Sequence, residues 1–211
     1  MGLFNKKTNE EKPAMVSLPS IFMNDDSEGD HGKETMLDYQ LSYILRLANT
    51  SNMGSEFAER VVMKLIGVDP DHIDEDGISS YLILRSVKVW KQWERIDLLA
   101  EIEANYGNGF KKYVIVIEDK AYTNIHDDQL SRYAAIVEDY YKGQDVEILY
   151  WVITFFDKGS EKYQTIANQC KEAKGGWNCI SFDELAVLTD AELQKGTYND
   201  IIDEFWVKRW S

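Results

Sequence analysis

The chain has 211 residues and a formal net charge of −14, from 23 Lys and Arg residues against 37 Asp and Glu residues. Hydrophobic residues make up 44% of it, which is enough to build a core and excludes a wholly disordered chain. A protein with this net negative charge is not expected to bind nucleic acid or an anionic membrane through its overall charge. The sequence has neither an apolar run of membrane-spanning length nor a signal-peptide pattern, so we expect a cytoplasmic protein.

The first part of the chain is predicted to contain a polar lead followed by two helices. Residues 1–32 are rich in polar and acidic residues, and we expect them to form a flexible lead to a single domain over residues 33–211. The spacing of apolar residues predicts a first helix over Lys33–Ala48. A second helix is predicted to begin near Ser55 and to end at Gly67. The apolar stripe of the first helix consists of Leu37, Leu41, Ile44, Leu45 and Ala48.

Extended segments dominate the rest of the chain. Tyr81–Val89 has an extended pattern, and four strands and a helix are predicted after it. The second of these strands is apolar on both faces before it ends in charged residues, which is typical of a central strand covered on both sides. The helix, which begins near Asp127 or Asp128 and ends at Gly143, implies that the second and third strands are parallel. The four strands are Arg95–Ile102, Tyr113–Lys120, Glu147–Phe156 and Trp177–Phe182.

Charged residues at the end of the central strand carry the most informative pattern. Glu118 and Lys120 are two residues apart, so they project to the same face of a strand, with Asp119 turned away. Asp97 offers a second carboxylate on the neighbouring strand. Two acids on adjacent strands can bracket one hard divalent cation and leave ligand positions for water and a phosphate group. Lys120 would then face the attacking water or the phosphate.

The order of these residues resembles the signature of the PD-(D/E)XK nuclease superfamily. Asp97 is followed by Glu118-Asp119-Lys120 at the end of an apolar strand, as in the D…(D/E)-x-K pattern of that family. The tripeptide that ends in Asp97 and the strand that ends in Lys120 are similar to the RID…IIENK pattern of small bacterial and phage-type members.

The helix that follows this motif adds a further matching element. Gln129 and Tyr133 are similar to the QxxxY element of the same branch, and their spacing of four places them on one helical face. They would support the site or contact the phosphate backbone. The resemblance covers about residues 33–156. It implies an α/β fold with a restriction-endonuclease-like core, in which a central mixed β-sheet of about four strands is flanked by helices.

The resemblance also implies a metal site and a mechanism. Asp97, Glu118 and the backbone carbonyl group of Asp119 would hold Mg²⁺ or Mn²⁺, which lowers the pKa of bound water and neutralises charge on phosphorus. Lys120 would orient that water and stabilise the transition state. In this superfamily a glutamate on the first core helix often joins the metal shell.

Glu34 is our candidate for that glutamate, with Glu56 and Glu59 on the second helix as its rivals. We therefore expect a metal-dependent nuclease that hydrolyses phosphodiester bonds of nucleic acid, with DNA favoured over RNA. The choice between endonuclease and exonuclease is left open, and so is a homodimer or a protein partner. We expect no association with a membrane.

Two other classes of protein fit parts of the same sequence. One is a catalytically silent PD-(D/E)XK-like module that binds a partner, although the intact Asp97, Glu118 and Lys120 argue against it. The other is an acidic mimic of DNA that occupies the nucleic-acid site of another protein, which the charge of −14 would suit. Such a mimic would bind a basic partner and would not cleave nucleic acid with a metal.

Basic and aromatic residues alternate just before Asp97. This basic–aromatic run can grip a nucleic-acid backbone and stack bases, or its tryptophans can fill a core beneath the lysine side chains. Lys111, Lys112 and Arg132 are candidates for a positive rim near the site. The run consists of Lys88, Trp90, Lys91, Trp93 and Arg95.

Overall fold

The computed structural model describes residues 33–69, 82–106, 109–120, 125–126 and 128–208, except for the side chains of residues 33–35. The predicted lead, residues 1–32, lies outside these ranges. Two helices begin the described part of the chain, α1 (Lys33–Leu47) and α2 (Ser55–Leu65). The predicted apolar stripe of α1 is buried in the core.

Five strands form one mixed sheet in the order β1-β2-β3-β4-β5. The pairs β1–β2 and β2–β3 are antiparallel, whereas β4 runs parallel to β3 and β5 runs parallel to β4. The central strand β3 is buried from Tyr113 to Lys120, as its apolar sequence predicts. The strands are β1 (Ile83–Trp93), β2 (Ile96–Asn105), β3 (Phe110–Lys120), β4 (Glu147–Thr154) and β5 (Asn178–Ser181).

Helices connect the parallel strands and complete the chain. The crossover from β3 to β4 contains α3 (Gln129–Tyr140), and the crossover from β4 to β5 contains α4 (Glu161–Glu172). Short helices follow β5, and the last of them continues into one turn of π-helix at Asp203–Val207. These short helices are α5 (Phe182–Leu185), α6 (Asp190–Lys195) and α7 (Asp200–Ile202).

Helical layers cover both faces of the sheet. On one face α1, α2 and the C-terminal segment bury a cluster that includes Phe57, Phe182 and Trp206. On the other face α3 and α4 bury a second cluster that includes Val137 and Ile166. Because β3 is covered on both sides, the charged groups at its end, Glu118, Asp119 and Lys120, are shielded from water.

The predicted α/β class, a mixed sheet flanked by helices, is confirmed. The sheet has one strand more than the four predicted, because β1 (Ile83–Trp93), which overlaps the segment with an extended pattern, pairs with β2 as an edge strand. Half-buried and exposed residues alternate along β1, and none of them is fully buried. The apolar pattern of the sequence was therefore too weak to predict that this segment pairs with β2. Among the described residues, no helix is both long enough and apolar enough to cross a bilayer.

Candidate active site

The candidate site lies where β2 begins and β3 ends. Leu98 on β2 is paired with Ile117 on β3, so the antiparallel register brings Asp97 beside Glu118 at one end of the sheet. β3 is buried up to its last residue, Lys120. Charged side chains in such a position are costly unless they are paired or bind a cation.

Asp97 joins the elements on either side of it through hydrogen bonds. Its Oδ2 atom accepts a hydrogen bond from the backbone N–H of Asp119 at 3.0 Å. Its Oδ1 atom accepts one from the side-chain amide of Gln92 at 3.1 Å. The orientation of the Asp97 carboxylate is therefore fixed by the end of β1 and by the end of β3.

Three aspartates form what we call the acidic cluster: Asp38 from α1, Asp97 from β2 and Asp119 from β3. One carboxylate oxygen of each lies within 4.8 Å of the others. Asp38 and Asp119 are buried, with exposed fractions of 6% and 3%. Burial, followed by the nearby Asp97 carboxylate, raises the pKa of Asp38 from 3.8 to about 6, whereas the Lys91 ammonium lowers it.

The acidic cluster has the composition of a site for a hard divalent cation, since such cations prefer carboxylate oxygens as ligands. Within the part of the chain that the structure describes, Oδ1 of Asp38 and Oε2 of Glu118 are buried without a hydrogen bond. Buried carboxylate oxygens in this condition are costly, and a cation bound beside such an oxygen would satisfy it. The residues therefore fit a divalent metal ion.

Glu118 and Lys120 project toward α3, on the other side of β3 from Asp119. Lys120 Nζ donates to Oε1 of Glu118 at 2.5 Å, and Gln129 Nε2 donates to the same oxygen at 2.6 Å. Burial, followed by repulsion from Asp97, raises the pKa of Glu118 from 4.5 to about 8, although the Lys120 ammonium favours its ionised form. A cation near this carboxylate would lower that pKa again.

Gln129 and Tyr133 link the end of β3 to the turn before β2. Gln129 Nε2 lies 3.1 Å from the Tyr133 hydroxyl oxygen, and the hydroxyl group donates to the backbone carbonyl of Arg95 at 2.7 Å. Arg95 has a left-handed backbone with a φ of 69°, which is costly for a residue other than glycine. One face of α3 therefore connects Glu118 with the residue two positions before Asp97.

We compared the chain with models of known protein families. A family model described as the PD-(D/E)XK nuclease superfamily matches residues 23–203, which is most of the chain. The chain belongs to the PD-(D/E)XK nuclease superfamily. The resemblance inferred from the sequence is thereby confirmed. Searches of curated proteins and of solved structures gave no match.

Membership of the PD-(D/E)XK superfamily indicates a nuclease-type function on nucleic acid and the use of a divalent metal ion. The residues predicted for catalysis surround the ends of β2 and β3 in this PD-(D/E)XK chain, although their roles stay predictions. These residues are Asp97, Glu118, Lys120, Gln129 and Tyr133.

Asp119 differs from the expectation in one respect. We expected its side chain to turn away from the face of Glu118 and Lys120, and its backbone carbonyl group to reach the metal. The side chain does lie on the other face, where its carboxylate also joins the acidic cluster. Because side chains alternate along β3, Asp119 faces α1, where Asp38 meets it, while Glu118 and Lys120 face α3.

The glutamates proposed for the metal shell lie on α1 and α2. The side chain of Glu34 is outside the part of α1 that the structure describes, so its role stays a prediction. Burial raises the pKa of Glu59, and the nearby Glu56 carboxylate raises it further, whereas Arg60 lowers it. Among the described residues, the acidic cluster contains neither Glu56 nor Glu59.

Asp38 is the residue that sequence reasoning missed. It follows Leu37 directly and precedes Leu41 by three positions, so it lies at the edge of the apolar stripe of α1. A carboxylate in that position is forced toward the core, which was a usable signal. Asp38 is also one helical turn after Glu34, and both positions therefore lie on one side of α1.

The predicted positive rim is only partly placed at the site. Lys112 is eight residues before Lys120 on β3, about 26 Å away at ~3.3 Å per residue, and Lys111 is one residue farther. These two lysines therefore lie at the opposite end of the sheet. Arg132 is beside the site, since its guanidinium carbon lies 5.3 Å from the centroid of the Tyr133 ring.

Proposed function

We propose that this chain is a metal-dependent nuclease that hydrolyses phosphodiester bonds of nucleic acid, with DNA as the favoured substrate. One observation carries the proposal: at the adjoining ends of β2 and β3, in a chain of the PD-(D/E)XK superfamily, three aspartates form the acidic cluster and the neighbouring Glu118 is paired with Lys120. Four acids beside only two lysines, Lys120 and Lys91, are costly as a purely structural device.

The carboxylates are the proposed ligands for Mg²⁺ or Mn²⁺. Asp97 lies between Asp119 and Glu118, so it can serve the acidic cluster and the Glu118 side together. When bound, the metal ion supplies a Lewis acid that lowers the pKa of water and neutralises charge on the phosphate. Glu34 remains a further proposed ligand from α1.

Lys120 is the proposed group that orients the attacking water and stabilises charge on the phosphate. Its ammonium is held by Glu118 at 2.5 Å, so its position relative to the carboxylates is defined before substrate binds. Gln129 restrains the other side of the same Glu118 oxygen. Tyr133 is proposed to act indirectly: its hydroxyl group holds the backbone carbonyl of Arg95, two residues before Asp97.

The same superfamily membership supports a proposal about organisation and location. We propose that residues 33–211 form a single nuclease domain, because one sheet carries both helical layers up to residue 208. We also propose that the protein acts in the cytoplasm, where a nuclease of this kind would meet nucleic acid. A homodimer or a protein partner would suit cleavage of both strands of a duplex.

A substrate panel tests the proposed function. The full chain is incubated with supercoiled, linear duplex and single-stranded DNA and with RNA, in Mg²⁺, in Mn²⁺ or in EDTA. The proposal expects cleavage of at least one substrate that depends on the metal and stops in EDTA. Binding without cleavage in every metal arm would favour the catalytically silent module. Absence of both binding and cleavage would favour the acidic mimic of DNA.

A further inference from the structure

Lys91 reaches the acidic cluster from β1, outside the residues of the D…ExK motif. It is two residues after Val89 and four after Val87 on β1, so all three side chains lie on one face of the strand. Both valines pack against the same core cluster as α1, so the Lys91 side chain projects toward that helix. Its Nζ atom lies 3.6 Å from Oδ2 of Asp38. It also lies 3.3 Å from the centroid of the Tyr39 ring.

Lys91 is more accessible than the lysine of the motif. The side chain of Lys91 is 25% exposed, whereas that of Lys120 is 10% exposed and is bound to Glu118 at 2.5 Å. The separation of 3.6 Å from Asp38 is long for an ion pair. An ammonium group has three donors, so Lys91 can bind a phosphate on its exposed side while it stays beside Asp38.

Tyr39 provides an exposed aromatic surface next to this ammonium. It follows Asp38 on α1 and is 62% exposed, so much of its ring remains accessible although Lys91 covers part of it. An exposed aromatic ring beside a cation is the arrangement by which proteins bind single strands, since the ring stacks a base while the cation contacts the phosphate backbone.

Other members of the basic–aromatic run have different surroundings. Trp93 is half-buried and packs edge-on against Tyr140, with 5.0 Å between the ring centroids. The left-handed turn at Arg95 is held through its carbonyl group by Tyr133. Within this run, Lys91 is therefore the residue for which contacts to both the acidic cluster and an exposed aromatic ring are established.

We propose that Lys91 and Tyr39 form a subsite for single-stranded nucleic acid, in which Lys91 binds a phosphate group and Tyr39 stacks an unpaired base next to the scissile bond. This subsite rests on the proposed nuclease function and names its substrate class. The acidic cluster repels a phosphate, so a cation at its edge is needed to hold the backbone there. A base within a duplex is already stacked on its neighbours and cannot cover the Tyr39 ring.

The test measures binding separately from cleavage. Fluorescence anisotropy in EDTA gives the Kd of the full chain for a labelled single strand, the same strand with abasic positions, and a duplex. Tyr39→Leu is the main variant, because an exposed ring can be removed with little effect on folding. Tyr198→Leu is its matched control, since Tyr198 is 71% exposed and lines a different surface cavity with Met53.

The subsite predicts that Tyr39→Leu raises the Kd for the intact single strand by roughly fivefold or more, and that Tyr198→Leu does not. The abasic strand should bind the parent and Tyr39→Leu equally. Lys91→Met should weaken binding and reduce the slope of log K against log salt by about one, while Lys91→Arg should retain most of it.

Cleavage by the parent chain in Mg²⁺ distinguishes this proposal from the function on which it rests. Loss of affinity in Tyr39→Leu and Lys91→Met would support the subsite even if the parent cleaves nothing, and the nuclease proposal alone would fail. Equal Kd values for the parent and Tyr39→Leu would overturn the subsite even if the parent cleaves. Equal affinity for strand and duplex, or no binding to either, would also overturn it.

Discussion

Glu118 combines near-complete burial with a neighbouring carboxylate, and both disfavour its ionised form. Its pKa is raised from 4.5 to about 8 by burial and then by Asp97. The folded protein therefore binds this proton more tightly than the unfolded chain does. The resulting stabilisation is complete below pH 4.5 and is lost as the pH rises toward 8, since stability falls wherever the folded state holds more protons.

Glu118→Gln tests this electrostatic account. The amide keeps the size of the side chain and cannot ionise, so the variant should lose less stability than the parent as the pH rises. The smaller loss that comes from Asp38, whose pKa is raised to about 6, should remain. For the parent in EDTA, we expect the free energy of unfolding to fall by on the order of 1–3 kcal/mol between about pH 5 and pH 8. Urea unfolding across this range measures it, with the exposed Glu94→Gln as control. Parallel pH profiles for the parent and Glu118→Gln would contradict the account.

Tyr133 acts through the backbone at Arg95, and its hydroxyl group can be removed alone. Tyr133→Phe deletes the bond of 2.7 Å to the Arg95 carbonyl while the ring stays in the core. We expect a loss of about 1 kcal/mol in the free energy of unfolding. We also expect kcat to fall while KM stays nearly constant, because Asp97 is displaced but substrate contacts are kept. Steady-state kinetics measure this, with Tyr198→Phe as control, and a rise in KM alone would show that the hydroxyl group binds substrate.

At the scale of elements, α1 matters because it delivers Asp38 to the strand ends. Asp38→Asn should lower the affinity for Mn²⁺ by about tenfold or more, since one charged ligand of the acidic cluster is lost. Isothermal titration calorimetry measures the affinity directly. Glu59→Gln is the matched control, because Glu59 is also a half-buried carboxylate with a raised pKa but is on α2. An unchanged affinity in Asp38→Asn would exclude Asp38 as a ligand.

The connection from α4 to β5 depends on a close approach at Gly175. A Cβ atom there would lie 2.7 Å from Cβ of Ala134 on α3, and the φ of Gly175 is +100°. Gly176 also has a positive φ, +70°, but a Cβ atom there would meet nothing within 4 Å. Gly175→Ala should therefore lower the free energy of unfolding by about 1–3 kcal/mol more than Gly176→Ala. Equal losses in thermal or urea unfolding would show that backbone strain alone decides the cost.

The elements that could be predicted from the sequence are those with a strong local pattern. The apolar run that ends in Glu118 and Lys120 predicted the central strand, and the spacing of Gln129 and Tyr133 predicted a shared helical face. Asp38 could not be assigned to the site in this way, because its position there depends on how α1 packs against the sheet. The position of the Asp119 carboxylate likewise depends on what lies on each side of β3.

At the scale of the whole molecule, the charge of −14 is not spread evenly over the surface. Part of the acidic excess is concentrated at the strand ends, where Asp38, Asp97, Glu118 and Asp119 meet. Lys112 and its neighbour are at the far end of β3 and do not offset it. Binding of nucleic acid should therefore involve few phosphate contacts and show a mild dependence on salt.

We infer that the carboxylates and Lys120 form one hydrolytic site. The most direct measurement compares DNA cleavage in Mg²⁺ by the parent, by Lys120→Ala and by Lys112→Ala. Lys112 is the matched control because it is an exposed lysine on the same strand. We expect the rate to fall by about 100-fold or more in Lys120→Ala and to stay near that of the parent in Lys112→Ala. Cleavage by Lys120→Ala at the rate of the parent would contradict it.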